Sequence, residues 1–196
     1  MIVWINGAFG SGKTQTAYEL HRRLSDSFVF DPENIGFYIR KNVPKELAAG
    51  DFQDFAMWRE FAYSMLSYLN REYGGTVIVP MTVVNPSYFD EIVGRLRLDG
   101  VTVHHFALMA SKETLLRRLR SRGDGARSWP SLQIDRCLEG LANDVFRHHL
   151  DTERMSVSTT AETIAGMLGL SLRPDERGPY RKALDRLAVK LKHIRF

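Results

Sequence analysis

Apolar positions along the chain come as short continuous runs separated by longer stretches in which they recur every three or four residues. Residues 2–6, 28–30, 76–79 and 101–108 are runs of strand length. Between them, helical spacing is carried by Ala17, Leu20 and Leu24, by residues 33–40, by Phe52 to Tyr73, and by Phe89, Ile92, Val93, Leu96 and Leu98. Ser111 is placed to cap a helix carrying Leu115, Leu116 and Leu119, and a further helix is predicted from about Ser131 to Leu150. Met155–Ser158 reads as a short fifth strand, and Thr159 with Glu162 has capping-box spacing for a helix through Ile164 and Leu168. Runs that are apolar throughout suit strands buried on both faces. Their alternation with helices predicts an α/β, three-layer fold with a five-stranded parallel sheet.

The first strand leads into Gly7-Ala8-Phe9-Gly10-Ser11-Gly12-Lys13-Thr14, and a helix follows. Glycines at these positions let the backbone wrap until its N–H groups point at phosphate oxygens, and the helix aims the positive end of its dipole at them. Residues 7–14 are therefore a candidate ATP site, with Lys13 directed at the β- and γ-phosphates and the Thr14 hydroxyl at Mg²⁺. The strand at 28–30 delivers Asp31-Pro32-Glu33 at its C-terminal end, the edge where open α/β sheets bind ligands. Asp31 is a candidate to orient or deprotonate an acceptor hydroxyl, and it is equally placed to cap the next helix. Arg40 could engage a uracil carbonyl or a sugar hydroxyl, or stand in an exposed salt bridge. Phe52, Phe55 and Trp58 are the aromatics expected near a partly apolar substrate, although most aromatics of that helix should be core.

The strand at 76–79 ends in Pro80-Met81-Thr82, without the Asp that often holds magnesium through water at this position. That leaves the metal to Thr14, phosphate oxygens and water, with Asp31 as a possible helper, and leaves Thr82 and Asn85 open as polar contacts or plain loop residues. Arg117, Arg118, Arg120 and Arg122 crowd a helix end that runs into Gly123-Asp124-Gly125. Planar cations on such a hinge suit a lid over transferring phosphate, so residues of about 117–131 are read as a lid. His104 and His105 point to opposite faces of a strand and cannot chelate one ion together. They are read as structural, as are His148 and His149 in the following helix.

Charge changes the picture only at the end of the chain. Residues 178–196 carry six basic residues against Asp185 alone, so the other 177 residues hold −1 of the net +4. Basicity confined to one element argues against a general nucleic-acid surface. Tyr180, Ala183, Leu184, Leu187, Ala188, Leu191 and Ile194 form one apolar stripe there, either docked on the 1–177 domain or lying reversibly on an anionic membrane surface. Cys137, the one cysteine, lacks a disulfide or zinc partner, and the first strand begins at residue 2 with no room for a signal peptide. The expectation is a cytoplasmic protein, partly associated with the membrane periphery.

The opening residues 4–14, the Asp31-Pro32-Glu33 turn, residues 79–82, the stretch from His104 to Arg120 and the terminal 189–195 segment together resemble the ATP-binding tunicamycin-resistance proteins of bacteria. That resemblance implies ATP binding through Gly7 to Thr14, tunicamycin resistance, and partition between cytosol and membrane through the C-terminus. More distantly the chain is similar to small-molecule kinases of the nucleoside-monophosphate-kinase fold, such as shikimate kinase and chloramphenicol phosphotransferase. In those P-loop kinase-like enzymes an acidic residue after the second strand meets the acceptor hydroxyl, a role the resemblance implies for Asp31, and lid arginines meet the phosphates, which implies Arg117, Arg120 and Arg122 as catalytic arginines here. Three functions follow as expectations: transfer of the ATP γ-phosphoryl, with Mg²⁺, to a tunicamycin-type nucleoside antibiotic; ATP-dependent sequestration of that drug at the membrane without catalysis; or a kinase for a nucleoside or other small metabolite.

Overall fold

β1 (Ile2–Gly7) is the strand on which the rest is assembled, pairing in parallel with β3 (Thr76–Pro80) on one side and β4 (Val103–Met109) on the other. β2 (Ser27–Val29) extends the sheet beyond β3 and β5 (His149–Asp151) beyond β4, giving five parallel strands in the order β2-β3-β1-β4-β5. This is a computed structural model describing residues 1–47 and 49–192. All six residues of β1 and all five of β3 are buried, which accounts for their unbroken apolar runs.

Because side chains alternate along a strand, β1 feeds two cores. Ile2 and Trp4 join Val79, Trp58, Phe89 and Phe146 on one face, under α3 (Ala56–Glu72) and the helical stretch formed by α4 (Pro86–Phe89), a π turn (Asp90–Gly94) and α5 (Arg95–Leu98). Val3 and Ile5 join Ala17, Leu20, Ile78 and Ile164 on the other, under α1 (Lys13–Arg23) and α9 (Val157–Met167). A third, smaller cluster packs Ala8 against Leu115 and Leu119 of α6 (Lys112–Arg120) and Ile134 and Cys137 of α8 (Ile134–Leu141). It ties the glycine-rich loop to the arginine-bearing helix. Ser111 caps α6 as expected, its hydroxyl accepting from the Thr114 amide at 3.2 Å.

The segment after α6 departs from the pattern reading. The helix expected from Ser131 to Leu150 is α7 (Trp129–Leu132), then α8, then a 3₁₀ turn at Asp144–Phe146. Asn143 caps that turn, accepting from the Val145 amide at 3.1 Å, and the chain then straightens into β5. His149 is thus on an edge strand, with a ring nitrogen 2.8 Å from the Leu141 carbonyl, and neither His148 nor His149 is helical. Residues 155–158, expected as the fifth strand, instead lead into α9, because Ser156 and not Thr159 is its N-cap, accepting from the Thr159 amide at 3.1 Å. Glu162 pairs with Arg23 at 2.7 Å.

α10 (Pro179–Lys192) packs on α1 through its polar side. Arg177, just before it, donates to Glu19 of α1 at 2.7 Å, to Asp185 of α10 at 2.8 Å and to Asp175 at 2.6 Å. These contacts hold Asp175 and Asp185 below the usual carboxylate range, chiefly by hydrogen bonds from Arg177. The predicted apolar stripe faces away from the domain, with Tyr180 87% and Leu184 60% exposed. The side chains of residues 190–192 and all of residues 193–196, on which Leu191, Ile194 and Arg195 of that reading fall, lie outside the described residues. Among the described residues no helix is long and apolar enough to cross a membrane.

Candidate active site

The loop between β1 and α1 is shaped by its glycines. Gly10 has φ +84°, a left-handed conformation, and a Cβ there would stand 2.9 Å from the Leu115 carbonyl oxygen. Asn6 fixes the root of the loop: its Oδ1 accepts from the amides of Gly7 at 2.8 Å and Val83 at 3.1 Å, and its Nδ2 donates to the Val83 carbonyl at 2.7 Å. Thr82, left open as a ligand contact, is buried and donates to the Gly7 carbonyl at 2.8 Å. Asn85 caps α4. Both hold the scaffold under the loop.

Lys13 is buried, its Nζ donating to the Ala8 carbonyl at 3.1 Å and lying 5.6 Å above the Phe9 ring. Burial pulls its ammonium down to about 8. The field of Glu33 opposes that shift most strongly, Cys137 and Asp31 oppose it less, and Arg122 adds to it. Asp31 follows β2 and Glu33 opens α2 (Glu33–Asn42), so both stand at the same C-terminal edge of the parallel sheet as the loop. Asp31 is buried at the end of β2, and its Oδ1 accepts from the Glu33 amide at 3.0 Å. The N-cap position of α2 is Pro32, without a side-chain cap, so Asp31 supports the turn into the helix and is not the N-cap expected of it. Sequence reasoning gave Glu33 no role; its place two residues after Asp31 at a helix start was the available signal.

A cleft of about 300 Å³ lies on the other side of the loop. Its walls are Gly10 to Gly12 with Gln15 and Thr16, then Arg118 and Arg122, then the β5–α9 connection at Thr152 and Met155 to Val157. Arg118 donates to the Thr152 carbonyl at 2.7 Å, which fixes its guanidinium at the cleft. Of the three lid arginines expected at the phosphates, only Arg122 lines this cleft. Arg117 turns back to the Thr114 hydroxyl at 2.8 Å and Arg120 to the Leu116 carbonyl at 3.4 Å, both exposed. With Leu115 and Leu119 buried, the adjacent stripe that faces the loop is Arg118 and Arg122, four residues apart.

The aromatics expected at the substrate are placed differently. Trp58 is fully buried and donates to the Pro32 carbonyl at 3.0 Å; Phe52 packs 5.4 Å from its ring and Phe55 flanks the same core. They hold the Asp31-Pro32-Glu33 turn and do not form an open wall: the helix expected from Phe52 begins only at Ala56, and Phe52, in a 3₁₀ turn before it, folds back onto Trp58. Arg40 donates to the Gly50 carbonyl at 2.8 Å and lies 5.4 Å from the Phe52 ring centre, and no ion pair of its side chain is found among the described residues. The apolar surface near the carboxylates is instead a shallow groove of Asn34, Ile35, Tyr38 and Phe61.

Two observations bear on what the site holds. The Ser11 hydroxyl is buried in the loop without a hydrogen-bond partner, which suits a phosphate oxygen as its acceptor. No group of three His, Cys, Asp or Glu side chains among the described residues could hold a metal. A magnesium site here fits the hydroxyl of Thr14 with phosphate oxygens and water, since Mg²⁺ ordinarily keeps several waters and takes few protein ligands.

The model of the AAA domain family matches residues 2–143. Among solved structures, the tunicamycin resistance protein of Deinococcus radiodurans aligns with a TM-score of 0.77 and 38% identity, over 89% of this chain and 98% of that one. A sugar kinase of Janibacter aligns at 0.59 and 18% identity, over 86% and 94% of the two chains. Shikimate kinase of Bacteroides thetaiotaomicron aligns at 0.58 and 18%, over 87% and 99%, and these two likenesses concern the fold. No curated protein matches the chain.

Proposed function

Because the chain belongs to the AAA domain family, and within it to the P-loop tunicamycin-resistance proteins, we propose that it moves the γ-phosphoryl of ATP onto a hydroxyl of a tunicamycin-type nucleoside antibiotic. The observation that carries this reading is the buried Asp31 carboxylate after β2, oriented by the Glu33 amide, on the same sheet edge as the glycine-rich loop and its buried Lys13. Transfer to a hydroxyl uses such a carboxylate as the acceptor of the hydroxyl proton.

In this mechanism the loop amides and Lys13 hold the β- and γ-phosphates. Asp31, oriented by the Glu33 amide, accepts the proton of the acceptor hydroxyl as its oxygen bonds to the γ-phosphorus and the bond to the β-phosphate oxygen breaks. Lys13 and Arg122 neutralise the charge left on ADP, and Glu33 holds the Lys13 ammonium charged and in place. The Thr14 hydroxyl would hold Mg²⁺, which when bound would supply further charge neutralisation. The Ile35, Tyr38 and Phe61 groove accepts the apolar part of a lipid-tailed substrate.

A second reading, non-catalytic sequestration by a protein on the membrane periphery, draws on one observation. The apolar row of Tyr180, Leu184 and Leu187 faces outward while the polar side of α10 is docked, so the helix can meet an anionic lipid surface without leaving the domain. A kinase for a normal metabolite would use the same residues as the drug kinase. Drug-dependent release of ADP separates these functions: it is expected from the wild type and lost in Asp31→Asn, which keeps its nucleotide affinity. Resistance retained in Asp31→Asn cells would instead favour sequestration.

A further inference from the structure

The nucleotide cleft has a fourth wall contributed by the C-terminal helix. Arg186 of α10 lines it opposite Arg118 and Arg122, and the Arg186 carbonyl accepts from the Gln15 side chain at 3.1 Å. Gln15 follows Thr14 directly, so α10 is bonded to the first turn of the very helix that ends the glycine-rich loop. Arg118 and Arg122, at and just past the end of α6, and Arg186 of α10 thus line one cleft, and Asp31 and Glu33 are not among its lining residues. The anchors of α10 lie one and two turns further along α1, where Arg177 joins Glu19 to Asp185 and Arg22 stands 3.9 Å from Asp185. Glu19 is buried and Arg177 largely so, whereas Asp185, the carboxylate on α10 itself, is 24% exposed, so docking rests on one polar network to which a ligand binding the docked state adds.

We infer that Arg186 is a nucleotide-binding residue, and that bound nucleotide and docked α10 stabilise each other. This rests on the reading of the cleft as the nucleotide site. A polyphosphate in the cleft meets Arg186 only when the helix is docked, so it binds the docked state more tightly. Reciprocity then requires docking to raise nucleotide affinity by the same factor. The apolar row of α10 does not enter this coupling, because it faces away from the cleft.

The test uses the full chain and the non-hydrolysable nucleotide AMP-PNP with Mg²⁺, read by titration calorimetry and by amide hydrogen exchange of residues 179–189. In the wild type the nucleotide is expected to slow exchange in α10. Arg186→Ala should bind about tenfold more weakly, the usual loss for a charge-assisted contact, and its α10 should exchange at the same rate with or without saturating nucleotide. Arg186→Lys should recover part of both effects. Arg177→Ala, which touches α1 and α10 outside the cleft, should also weaken nucleotide binding if docking and binding are coupled. Equal affinity in wild type and Arg186→Ala, or unchanged α10 exchange in nucleotide-bound wild type, would overturn the inference while leaving the nucleotide site standing. Wild-type protein that binds no AMP-PNP would overturn the reading of the cleft and the inference with it.

Discussion

Lys13 offers a prediction with a magnitude and a sign. Its ammonium is pulled to about 8 by burial, so in the ligand-free protein it is about one-tenth neutral at pH 7, half neutral at pH 8 and nine-tenths neutral at pH 9. Phosphate oxygens beside Nζ favour the charged form and return the group to full protonation, so binding must take up the missing proton. Uptake of about 0.1 proton at pH 7, 0.5 at pH 8 and 0.9 at pH 9 is expected, and affinity should be about tenfold weaker at pH 9 than at pH 7. The stability effect has the opposite sign. A lysine depressed in the folded state penalises folding fully below about pH 8, and the penalty is relieved as pH rises toward the unfolded value of 10.5. Weaker binding at pH 9 is therefore not a symptom of Lys13-driven unfolding. Calorimetry of AMP-PNP binding in buffers of different ionisation enthalpy measures the proton count directly, and the same titration with Lys13→Arg subtracts what the nucleotide's own phosphates contribute. Affinity independent of pH between 7 and 9, with no proton uptake, would refute the reasoning. Lys13→Arg, always charged, should show that flat profile as a control if it folds.

Other predictions concern the scaffold. Trp58→Ala should cost about 3–5 kcal/mol, because it empties a fully buried site between α2 and α3 and orphans the Pro32 carbonyl; in thermal melts that lowers Tm by about 10 °C or more. Trp58→Phe, which keeps most of the ring volume, should lose about 1–2 kcal/mol, chiefly through that hydrogen bond. Gly10→Ala must place a Cβ 2.9 Å from the Leu115 carbonyl at a positive φ; binding of AMP-PNP by calorimetry should fall at least about tenfold, with a strain cost of about 1–3 kcal/mol in chemical denaturation. Unchanged binding in that variant would place the phosphates elsewhere.

What the sequence made legible follows from how strongly each element is determined locally. β1, the glycine-rich loop and α1 combine an unbroken apolar run, obligatory glycines and a helical face, three signals that agree. Asp31 was readable because an apolar run, a carboxylate and a proline fix a strand end and a helix start together. β5 carried no such signal: His149-Leu150-Asp151 is a three-residue edge strand with one apolar side chain, and only pairing with β4 makes it a strand. The choice among the α6 arginines depended on which face the leucines bury. Leu115 and Leu119 turn Arg118 and Arg122 toward the loop and leave Arg117 and Arg120 outside, a four-residue spacing that was visible but subordinate to the clustering. The aromatics of α3 misled for the opposite reason, since ring size signals burial before it signals a ligand. The docking of α10 by its polar side was not readable, because Arg177, Glu19 and Asp185 are far apart in the chain and an apolar stripe ordinarily faces the protein.

The central claim is transfer of phosphate to the drug, and mass spectrometry of tunicamycin incubated with the purified chain, ATP and Mg²⁺ tests it most directly, with Lys13→Ala and Asp31→Asn alongside. The account predicts a drug species heavier by one phosphoryl group, formed by the wild type and absent from both variants. Unmodified drug recovered in complex with ATP-loaded protein would contradict it, and would leave Asp31 and Glu33 as parts of a binding site without chemistry.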